Sequence, residues 1–444
     1  MKIKTSFAVL LTLAWFTAGY AQTLDKAKLD QFFDRLAEKN KAMGSLTIAK
    51  DGKVLYTRAI GYSEINGSEK KPLTAASRFR IASITKTFTA VMILQLVEEG
   101  KLKLTDTLDK FFPQVPNARK ITILQILAHR SGIPNIRRDQ ITWKPGTPVT
   151  RDQMLALIVK GTPEFEPDTK NSYSNSGYYL LSLILEKLTG KPYDQAVEER
   201  INSRIGLKDT YQAAGRIDVD KGEALTYENN GSDWELWKQG FETDPSIGFQ
   251  LVSTPGDMAR FIQSLFDLKL ISQASLNQMK TLRDDEGLGL VTFTFAGKTF
   301  YGNTGGGDNY GSWLAYQPEE KLVVSYATNA KVHPVKDIIS GVIDIYYGKP
   351  FEIPAFATIA VNPEVLDKYV GVYSSPDVPR KWTIARVGGK LFVQPGSENA
   401  TALEATAPDK FQLFGGQVTF EFDAAKNQMT LKRGGRLMVF TKEK

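Results

Sequence analysis

The sequence predicts a mixed α/β (α+β) fold: an antiparallel sheet flanked by helices, with a helical insert, followed by a small all-β barrel. Strand-like segments lie near both ends of the first 349 residues, whereas the stretch from about 121 to 270 is mostly helical. This order predicts one sheet built from both ends of the region, with the helices inserted between them. Short alternating strands at regular spacing after residue 362 predict the barrel.

The chain begins with a segment typical of a secretory signal peptide, residues 1–21. Lys2 and Lys4 give a basic start, residues 7–16 are mostly apolar, and a small-residue cleavage site follows. The apolar run is too short for a stable membrane span. We therefore expect cleavage before Gln22, no membrane span in the mature protein, and a periplasmic or secreted bacterial protein.

The composition is that of an ordinary globular protein, because 42% of the 444 residues are apolar and 24% are charged. The length suggests two domains. The formal net charge is +7, and the charges are mixed along the chain without the lysine or arginine run that marks a nucleic-acid arm.

The chain has no cysteine, which excludes thiol chemistry. The two histidines, His129 and His333, are too far apart in sequence to suggest a metal site. We predict no cofactor, no metal and no nucleic-acid partner.

The elements of the first region are expected in the following order. An amphipathic helix covers about 24–40, and Lys50–Gly52 is a hairpin turn between two strands. A helix that is apolar nearly all round runs from Ser83 to Gly100, and a helix without a polar face is usually buried. Further helices are expected at 121–135, 173–193 and about 334–346, and further strands at 290–295, 299–302, 311–317 and 321–329.

Domain boundaries follow from a change in composition near residue 350, where three prolines mark a linker. We expect a first domain over 22–349, a linker over 350–362 and a barrel over 363–444. In the last segment, glycine pairs at 388–389, 415–416 and 434–435 each separate two strand-like stretches, which predicts three hairpins. In QVTFEFD, residues 417–423, apolar and polar residues alternate, which predicts a strand with one buried face.

Ser83 and Lys86 form the first candidate catalytic pair. A serine hydroxyl is a poor nucleophile until a base takes its proton, and a spacing of three on a helix places both side chains on one side. Ser83 lies at the N-terminus of the buried helix, where the helix dipole favours developing negative charge. A second Ser-x-x-Lys, Ser68 with Lys71, lies in a polar loop and is expected to be structural.

Two further motifs follow in the chain. Tyr173-Ser174-Asn175 lies where a loop meets a strongly apolar helix, a position that projects a phenol and an amide into a cleft. Copies of Tyr-x-Asn at 227–229 and 301–303 make this motif weak by itself. The segment GNTGGG directly follows the strand TFYG, and glycines there let backbone N–H groups approach a ligand closely.

In this order, the three motifs resemble those of the penicillin-recognising serine hydrolases: class C beta-lactamases, D-Ala-D-Ala carboxypeptidases, and related esterases and D-amino-acid peptidases. The resemblance covers about residues 46–346 and includes the phrases LAHRSGIPN and LVSTPGDMARF. It implies a beta-lactamase/transpeptidase-like fold for the first domain. The C-terminal barrel looks like the lipocalin-like appendage that some of these hydrolases carry.

The resemblance also implies a role for each motif residue. Ser83 would be the acylated nucleophile, and Lys86, desolvated in the cleft, would have a lowered pKa and accept the serine proton. Tyr173 would act as general base or as proton carrier to the leaving group, with its pKa lowered by a cationic neighbour. Asn175 would orient Lys86 and the substrate amide. The backbone N–H groups of Ser83 and Gly306 would form the oxyanion hole.

The third motif departs from the family's pattern. Where the family usually has lysine or histidine followed by threonine and glycine, this chain has Asn303, Thr304 and Gly305. These three and Gly306 are the candidate residues for binding or orienting the substrate. A lysine there supplies positive charge for a substrate carboxylate, whereas asparagine offers neutral hydrogen bonds, roughly half as strong. We therefore expect a small-molecule or peptide substrate with an ester or neutral amide bond, and weak or no beta-lactamase activity.

Other functions stay open. Within the enzyme class, the alternative is a D,D-carboxypeptidase, D-aminopeptidase or beta-lactamase acting on peptidoglycan-like substrates. In another class, a catalytically silent binding or sensing protein would retain the fold, and Asn303 is the feature that favours it. A Ser-His-Asp hydrolase is disfavoured because the chain has no Gly-x-Ser-x-Gly motif, and His129 is expected to be a structural hydrogen-bonding residue.

The role of the barrel has two interpretations: it either covers one side of the hydrolase domain or lines its cleft. The sequence does not predict the oligomeric state.

Overall fold

The computed structural model describes residues 24–136, 150–213, 215–229, 233–237, 250–283, 286–307, 309–356, 358–396, 400–413, 416, 418–433 and 435–443. The predicted signal peptide lies outside the described residues. The helices are α1 (Lys26–Glu38), α2 (Thr85–Glu98), α3 (Ile123–Leu127), α4 (Arg151–Lys160), α5 (Asn175–Thr189), α6 (Tyr193–Val197), α7 (Ser203–Ile205), α8 (Pro255–Phe266), α9 (Gln273–Lys280), α10 (Val335–Tyr346) and α11 (Pro363–Asp367). Within these helices, no segment is both long enough and apolar enough to cross a membrane.

The strands are β1 (Ala42–Lys50), β2 (Lys53–Ile60), β3 (Tyr62–Asn66), β4 (Glu69–Pro72), β5 (Phe79–Arg80), β6 (Tyr211–Gln212), β7 (Tyr227–Asn229), β8 (Trp234–Leu236), β9 (Leu251–Ser253), β10 (Val291–Phe295), β11 (Lys298–Gly306), β12 (Gly311–Gln317), β13 (Leu322–Lys331), β14 (Gly371–Ser375), β15 (Val378–Val387), β16 (Lys390–Pro395), β17 (Thr401–Ala402), β18 (Glu404–Ala407), β19 (Lys410–Leu413), β20 (Val418–Asp423), β21 (Gln428–Arg433) and β22 (Arg436–Lys442). Strands β3 to β9 form three small sheets beside the two large ones.

The main sheet has six antiparallel strands in the order β10-β11-β12-β13-β1-β2. Its first-region strands β1 and β2 join the later strands through β13, with Leu46 opposite Tyr326. This arrangement confirms the prediction of one sheet built from both ends. Helix α1 buries four apolar residues at helical spacing, from Leu29 to Leu36, against one face together with α10. Helix α8 packs on the opposite face, where the larger hydrophobic core lies.

Helix α2 is the centre of that larger core. Its side chains are buried throughout Thr85–Leu96, and the ring of Phe88 stacks on Phe261 of α8 with the centroids 3.6 Å apart. A 3₁₀ turn at Ala82–Ile84 precedes the helix, and Gly100 follows it in the left-handed conformation (φ 70°). The predicted buried helix is therefore confirmed, and its first turn is 3₁₀ rather than α.

Two predicted segments differ from the structure. Helix α3 spans only Ile123–Leu127 of the predicted 121–135 helix, because His129 (φ 55°) and Gly132 (φ 71°) adopt left-handed conformations that end a helix. Strand β11 extends over Lys298–Gly306. The glycine-rich segment therefore forms the end of a strand and does not follow it as a loop.

The C-terminal part forms a nine-stranded antiparallel, barrel-like sheet in the order β17-β16-β15-β14-β22-β21-β20-β19-β18. The three predicted hairpins correspond to β15–β16, β19–β20 and β21–β22. Aromatic side chains pack against its inner face and on it: Tyr369, between α11 and β14, stacks on Phe422 at 4.6 Å, and the rings of Trp382 and Phe440 are 5.3 Å apart. The described interior is therefore a packed hydrophobic core.

A buried ion pair joins the main-sheet region to the barrel. Lys41, just before β1, is 7% exposed and donates a hydrogen bond to the Glu404 carboxylate on β18. Gln412 Nε2 donates to the other Glu404 oxygen at 3.3 Å, and the Lys41 ammonium lies 5.5 Å from the centroid of the Phe356 ring. Because an unpaired buried charge is costly, this pair fixes the position of the barrel next to β1.

We expect the Glu404→Ala variant to lose about 3 kcal/mol of unfolding free energy, because the Lys41 ammonium would stay buried without its counter-ion. Denaturant titration measures the loss. Glu421→Ala is the matched control, since Glu421 is exposed and its ion pair with Lys410 (3.4 Å) contributes no more than about 1 kcal/mol. Equal stabilities of the two variants would contradict the role assigned to the buried pair.

Candidate active site

Ser83 lies in a strained turn between β5 and α2. The preceding residue, Ala82, has a φ of 45°, a conformation that costs roughly 1–2 kcal/mol for a residue with a Cβ. Two neighbouring strands hold this turn. Ser312 Oγ on β12 donates to Ile81 O at 2.8 Å, and Gly305 on β11 lies so close that a Cβ there would meet Ile81 O at 2.2 Å. Both contacts are made to the backbone of the turn. The position of Ser83 therefore does not depend on contacts of the Ser83 side chain.

Lys86 lies three residues further on and is 9% exposed. Its Nζ donates to Ser83 Oγ at 3.1 Å and to Asn175 Oδ1 at 2.7 Å. Burial lowers the pKa of Lys86 to about 7, because desolvation disfavours the ammonium form. Near neutral pH a large fraction of Lys86 is therefore an uncharged amine within reach of the serine hydroxyl.

Tyr173 places its phenol 2.5 Å from Ser83 Oγ. It stands just before α5, whose first turn is capped by Ser174 through a hydrogen bond from Gly177 N to Ser174 Oγ at 3.2 Å. Tyr173 is 39% exposed, but the groups around its phenol desolvate it and raise the pKa of Tyr173 to about 12. The hydrogen bond to Ser83 opposes this rise, and the Glu286 carboxylate adds to it. The expected lowering of this pKa by a cationic neighbour is therefore wrong, and an uncharged Lys86 amine supplies no such cation.

His129 fixes the segment that carries Tyr173. Its Nδ1 accepts from Ser174 N at 3.1 Å, its carbonyl accepts from Ser172 N at 2.9 Å, and its ring lies 4.5 Å from the Tyr173 ring. Burial, with a further contribution from Lys86, lowers the pKa of His129 to about 3. The ring is thus neutral, and its contacts are those of the structural hydrogen-bonding residue that the sequence predicts.

The side chain of Asn303 is engaged within the protein. Its Nδ2 donates to Gly289 O at 3.2 Å, and its Oδ1 accepts from Thr304 N at 2.8 Å. Thr304 itself lies opposite Trp313 of β12. Asn303 therefore connects β11 to the loop around Gly289. The position of Asn303 in the motif does not predict this structural role.

The N–H of Gly306 faces away from β12. Gly307 N donates to Tyr310 O at 3.1 Å, and successive residues of an antiparallel strand direct their N–H groups to opposite edges. Strand β10 ends its pairing with β11 at Gly302. The Gly306 N–H therefore lies at the edge beyond β10, on the stretch of β11 that packs against the turn of Ser83.

A small pocket opens beside these groups. Its described lining consists of Lys86, His129, Tyr173, Glu286, Gly287, Gly289, Leu290, Val291 and Asn303. All of these residues precede the barrel, so the barrel contributes nothing to the described lining. Among the residues that the structure describes, no cluster of three or more histidines, aspartates or glutamates could hold a metal ion.

Glu286 is a pocket residue that no sequence motif marks. It is half-buried, and its Oε2 accepts from Asn171 Nδ2 at 3.1 Å. In the sequence it belongs to the polar run RDDEG, which looks like a solvated loop. The β-bridge between Glu286 and Val291, which depends on the folded chain, places Glu286 beside the pocket.

We expect Gly305→Ala to slow the reaction of Ser83 with a fluorophosphonate by roughly 100-fold, because a shift of about 1 Å in a reacting group is enough for such a loss. The added Cβ would also press on Ala82 Cβ at 3.0 Å. Gly389→Ala is the control, since nothing lies within 4 Å of a Cβ there. An unchanged rate in a folded Gly305→Ala protein, verified by circular dichroism, would contradict this account of the turn.

Comparison with known proteins places the chain in one family. The beta-lactamase family matches residues 29–340. Penicillin-binding protein 4* of Bacillus subtilis (strain 168) is 26% identical over 91% of this chain and 96% of its own length. The D-alanyl-D-alanine-carboxypeptidase/endopeptidase AmpH of Escherichia coli (strain K12) is 26% identical over 80% of this chain and all of its own. A solved D-stereospecific amidohydrolase from Streptomyces sp. is 26% identical with a TM-score of 0.62, covering 73% of this chain and 100% of that one. The chain belongs to the beta-lactamase family of serine hydrolases.

Proposed function

We propose that this protein hydrolyses amides or esters through an acyl-enzyme on Ser83. The observation that carries the proposal is the convergence of two proton-handling groups on one hydroxyl: Lys86 Nζ at 3.1 Å and Tyr173 OH at 2.5 Å from Ser83 Oγ. Nucleophilic catalysis requires a base within hydrogen-bonding reach of the nucleophile and a third group that orients the base. Asn175 supplies the third group by accepting from Lys86.

In this proposal Lys86 is the base. Because its pKa is lowered to about 7, the amine can take the Ser83 proton near neutral pH, while Oγ attacks the carbonyl carbon of the substrate. The N–H groups of Ser83 and Gly306 would stabilise the resulting oxyanion. The C–N or C–O bond then breaks, and the leaving group departs with a proton. Water completes the cycle by hydrolysing the ester formed on Ser83.

Tyr173 is best suited to carry that proton. With its pKa raised to about 12, the phenol stays protonated across the physiological range and is a poor base in the resting enzyme. It can instead give its proton to the leaving group while it receives one from the Lys86 ammonium. Of the two roles that the family resemblance leaves open for Tyr173, the carrier is therefore favoured.

The substrate is expected to be an ester or an amide without a recognised carboxylate. The Asn303 amide bonds Gly289 and Thr304, so it offers a substrate carboxylate no charge and little hydrogen-bonding capacity. This supports weak or no beta-lactamase activity. The name of the solved D-stereospecific amidohydrolase favours amides. The carboxypeptidase activity in the name of AmpH keeps peptidoglycan-like peptides as the second candidate.

The cellular setting and the domain division are part of the proposal. A signal peptide over residues 1–21 would direct the protein to the periplasm or the medium. A hydrolase domain over 22–349, a linker over 350–362 and a barrel over 363–444 would follow. The proposal places every catalytic group in the hydrolase domain.

Labelling with a fluorophosphonate tests the nucleophile. We expect rapid labelling of the wild type and none of Ser83→Ala, with Lys86→Ala slowed roughly a thousandfold because the proton acceptor is gone. Ser68→Ala is the matched control, since Ser68 belongs to the other Ser-x-x-Lys of the chain and lies in an exposed turn. Intact-protein mass spectrometry measures the adduct, and circular dichroism verifies folding.

Turnover of a substrate panel tests the specificity. We expect esters and amino-acid amides to be hydrolysed faster than nitrocefin and D-Ala-D-Ala peptides. Fast nitrocefin turnover would contradict the interpretation of Asn303. A folded wild type that no fluorophosphonate labels would favour the non-catalytic binding protein instead.

A further inference from the structure

Two aromatic rings lie beside the amine of Lys86. Its Nζ is 4.9 Å from the centroid of the Tyr173 ring and 5.7 Å from the centroid of the Tyr178 ring. We propose that the Tyr178 ring stabilises the ammonium that forms when Lys86 takes the Ser83 proton. Tyr178 is then a positioning residue that acts through Lys86. The inference rests on the proposed function of Ser83 and adds to its mechanism a residue outside the three motifs.

The helix that carries Asn175 also presents Tyr178 to the base. The two residues are three apart on α5, so their side chains lie on the same face of the helix. Asn175 Oδ1 accepts from Lys86 Nζ at 2.7 Å, and the Tyr178 ring lies beside the same amine. One face of α5 therefore supplies the base with both a hydrogen-bond acceptor and an aromatic ring.

The Tyr178 ring is fixed before any reaction begins. It is 4% exposed, its hydroxyl donates to Leu127 O at 2.8 Å, and the centroid of the His129 ring lies 5.0 Å from its own. The hydroxyl is thus engaged by the end of α3, and the ring is the part that meets Lys86. A ring held in this way needs no reorganisation when a charge forms next to it.

The ammonium has no carboxylate partner to stabilise it. Within the described part of the chain, no carboxylate lies at ion-pair distance from Lys86 Nζ, and its hydrogen-bond acceptors are Ser83 Oγ and Asn175 Oδ1. Besides the two tyrosines, the titratable groups that face it are His129 and Glu286, which line the same pocket. The face of an aromatic ring carries partial negative charge and attracts a cation within about 6 Å of its centroid.

Stepwise fluorination of the ring at position 178 tests the inference with little change of shape, because each fluorine weakens the attraction of the ring face for a cation. The series is Tyr178→Phe, followed by 4-fluorophenylalanine and 3,4,5-trifluorophenylalanine in place of Tyr178. The readout is the rate at which a fluorophosphonate labels Ser83, with folding verified by circular dichroism. Above pH 8 we expect Tyr178→Phe to retain the rate within about twofold and the trifluorinated protein to lose about 3- to 10-fold.

The pH profile separates this role from a purely structural one. A ring that no longer stabilises the ammonium lowers the pKa of Lys86, so the amine becomes a weaker base but is more completely deprotonated. The loss of rate is therefore expected to be largest above pH 8 and to disappear near pH 6. The midpoint of the Lys86 titration, followed by ¹³C NMR, should fall by up to about one pH unit. Damage to the packing of α5 would slow the labelling equally at both pH values.

Tyr179 supplies the matched control. It is the next residue of α5, it is 1% exposed, and its hydroxyl donates to Arg151 O at 3.3 Å. The aromatic contacts of Lys86 are instead with Tyr173 and Tyr178. Trifluorophenylalanine in place of Tyr179 should therefore leave both the labelling rate and the Lys86 midpoint unchanged.

The inference is overturned by an unchanged rate or an unchanged Lys86 midpoint when trifluorophenylalanine replaces Tyr178. A loss of rate of the same size at pH 6 and at pH 9 would also overturn it. A wild type whose Ser83 is not labelled would contradict the proposed function, which is a different result. The Lys86 midpoint would in that case still decide whether the ring stabilises the ammonium.

Discussion

The burial of one amine is the constraint on which the rest of the site depends. Helix α2 is buried around its whole circumference from Thr85 to Leu96, so the core that encloses it also encloses Lys86 in its first turn. Desolvation is the cause of the lowered pKa of Lys86, and its hydrogen-bond acceptors, Ser83 Oγ and Asn175 Oδ1, are uncharged. Uncharged acceptors leave the amine favoured, whereas a carboxylate acceptor at the same distance would favour the ammonium.

The surrounding elements serve to bring two hydroxyls to that amine. The strained turn at Ala82 would relax if β11 and β12 did not pack against it, and Gly305 permits the close approach. On the opposite side, the neutral ring of His129 holds the backbone before α5, and with it the phenol of Tyr173. Both hydroxyls are therefore positioned by backbone contacts, which leaves their protons available for transfer.

Local rules predict that Ser83 and Lys86 share one side of a buried helix and that Tyr173 and Asn175 stand at a helix start. The meeting of these two segments, about 90 residues apart in the chain, is implied only by the family resemblance. What depends on tertiary contacts is not predictable in this way. The shortening of α3 follows from the φ of His129, and the raised pKa of Tyr173 follows from the desolvation of its phenol by groups distant in sequence. Glu286 reaches the pocket through a bridge to β10, so its polar loop sequence gives no sign of it.

The most direct test of the account is the titration of Lys86 itself. Lysine labelled with ¹³C at Cε gives an NMR signal that follows the ionisation of each amine, and its absence in Lys86→Arg assigns the signal of this residue. The account predicts a midpoint near pH 7, well below the ordinary value of 10.5, because burial disfavours the ammonium. A midpoint close to 10.5 in the folded protein would show that Lys86 is charged at neutral pH, and it could not then be the base that activates Ser83.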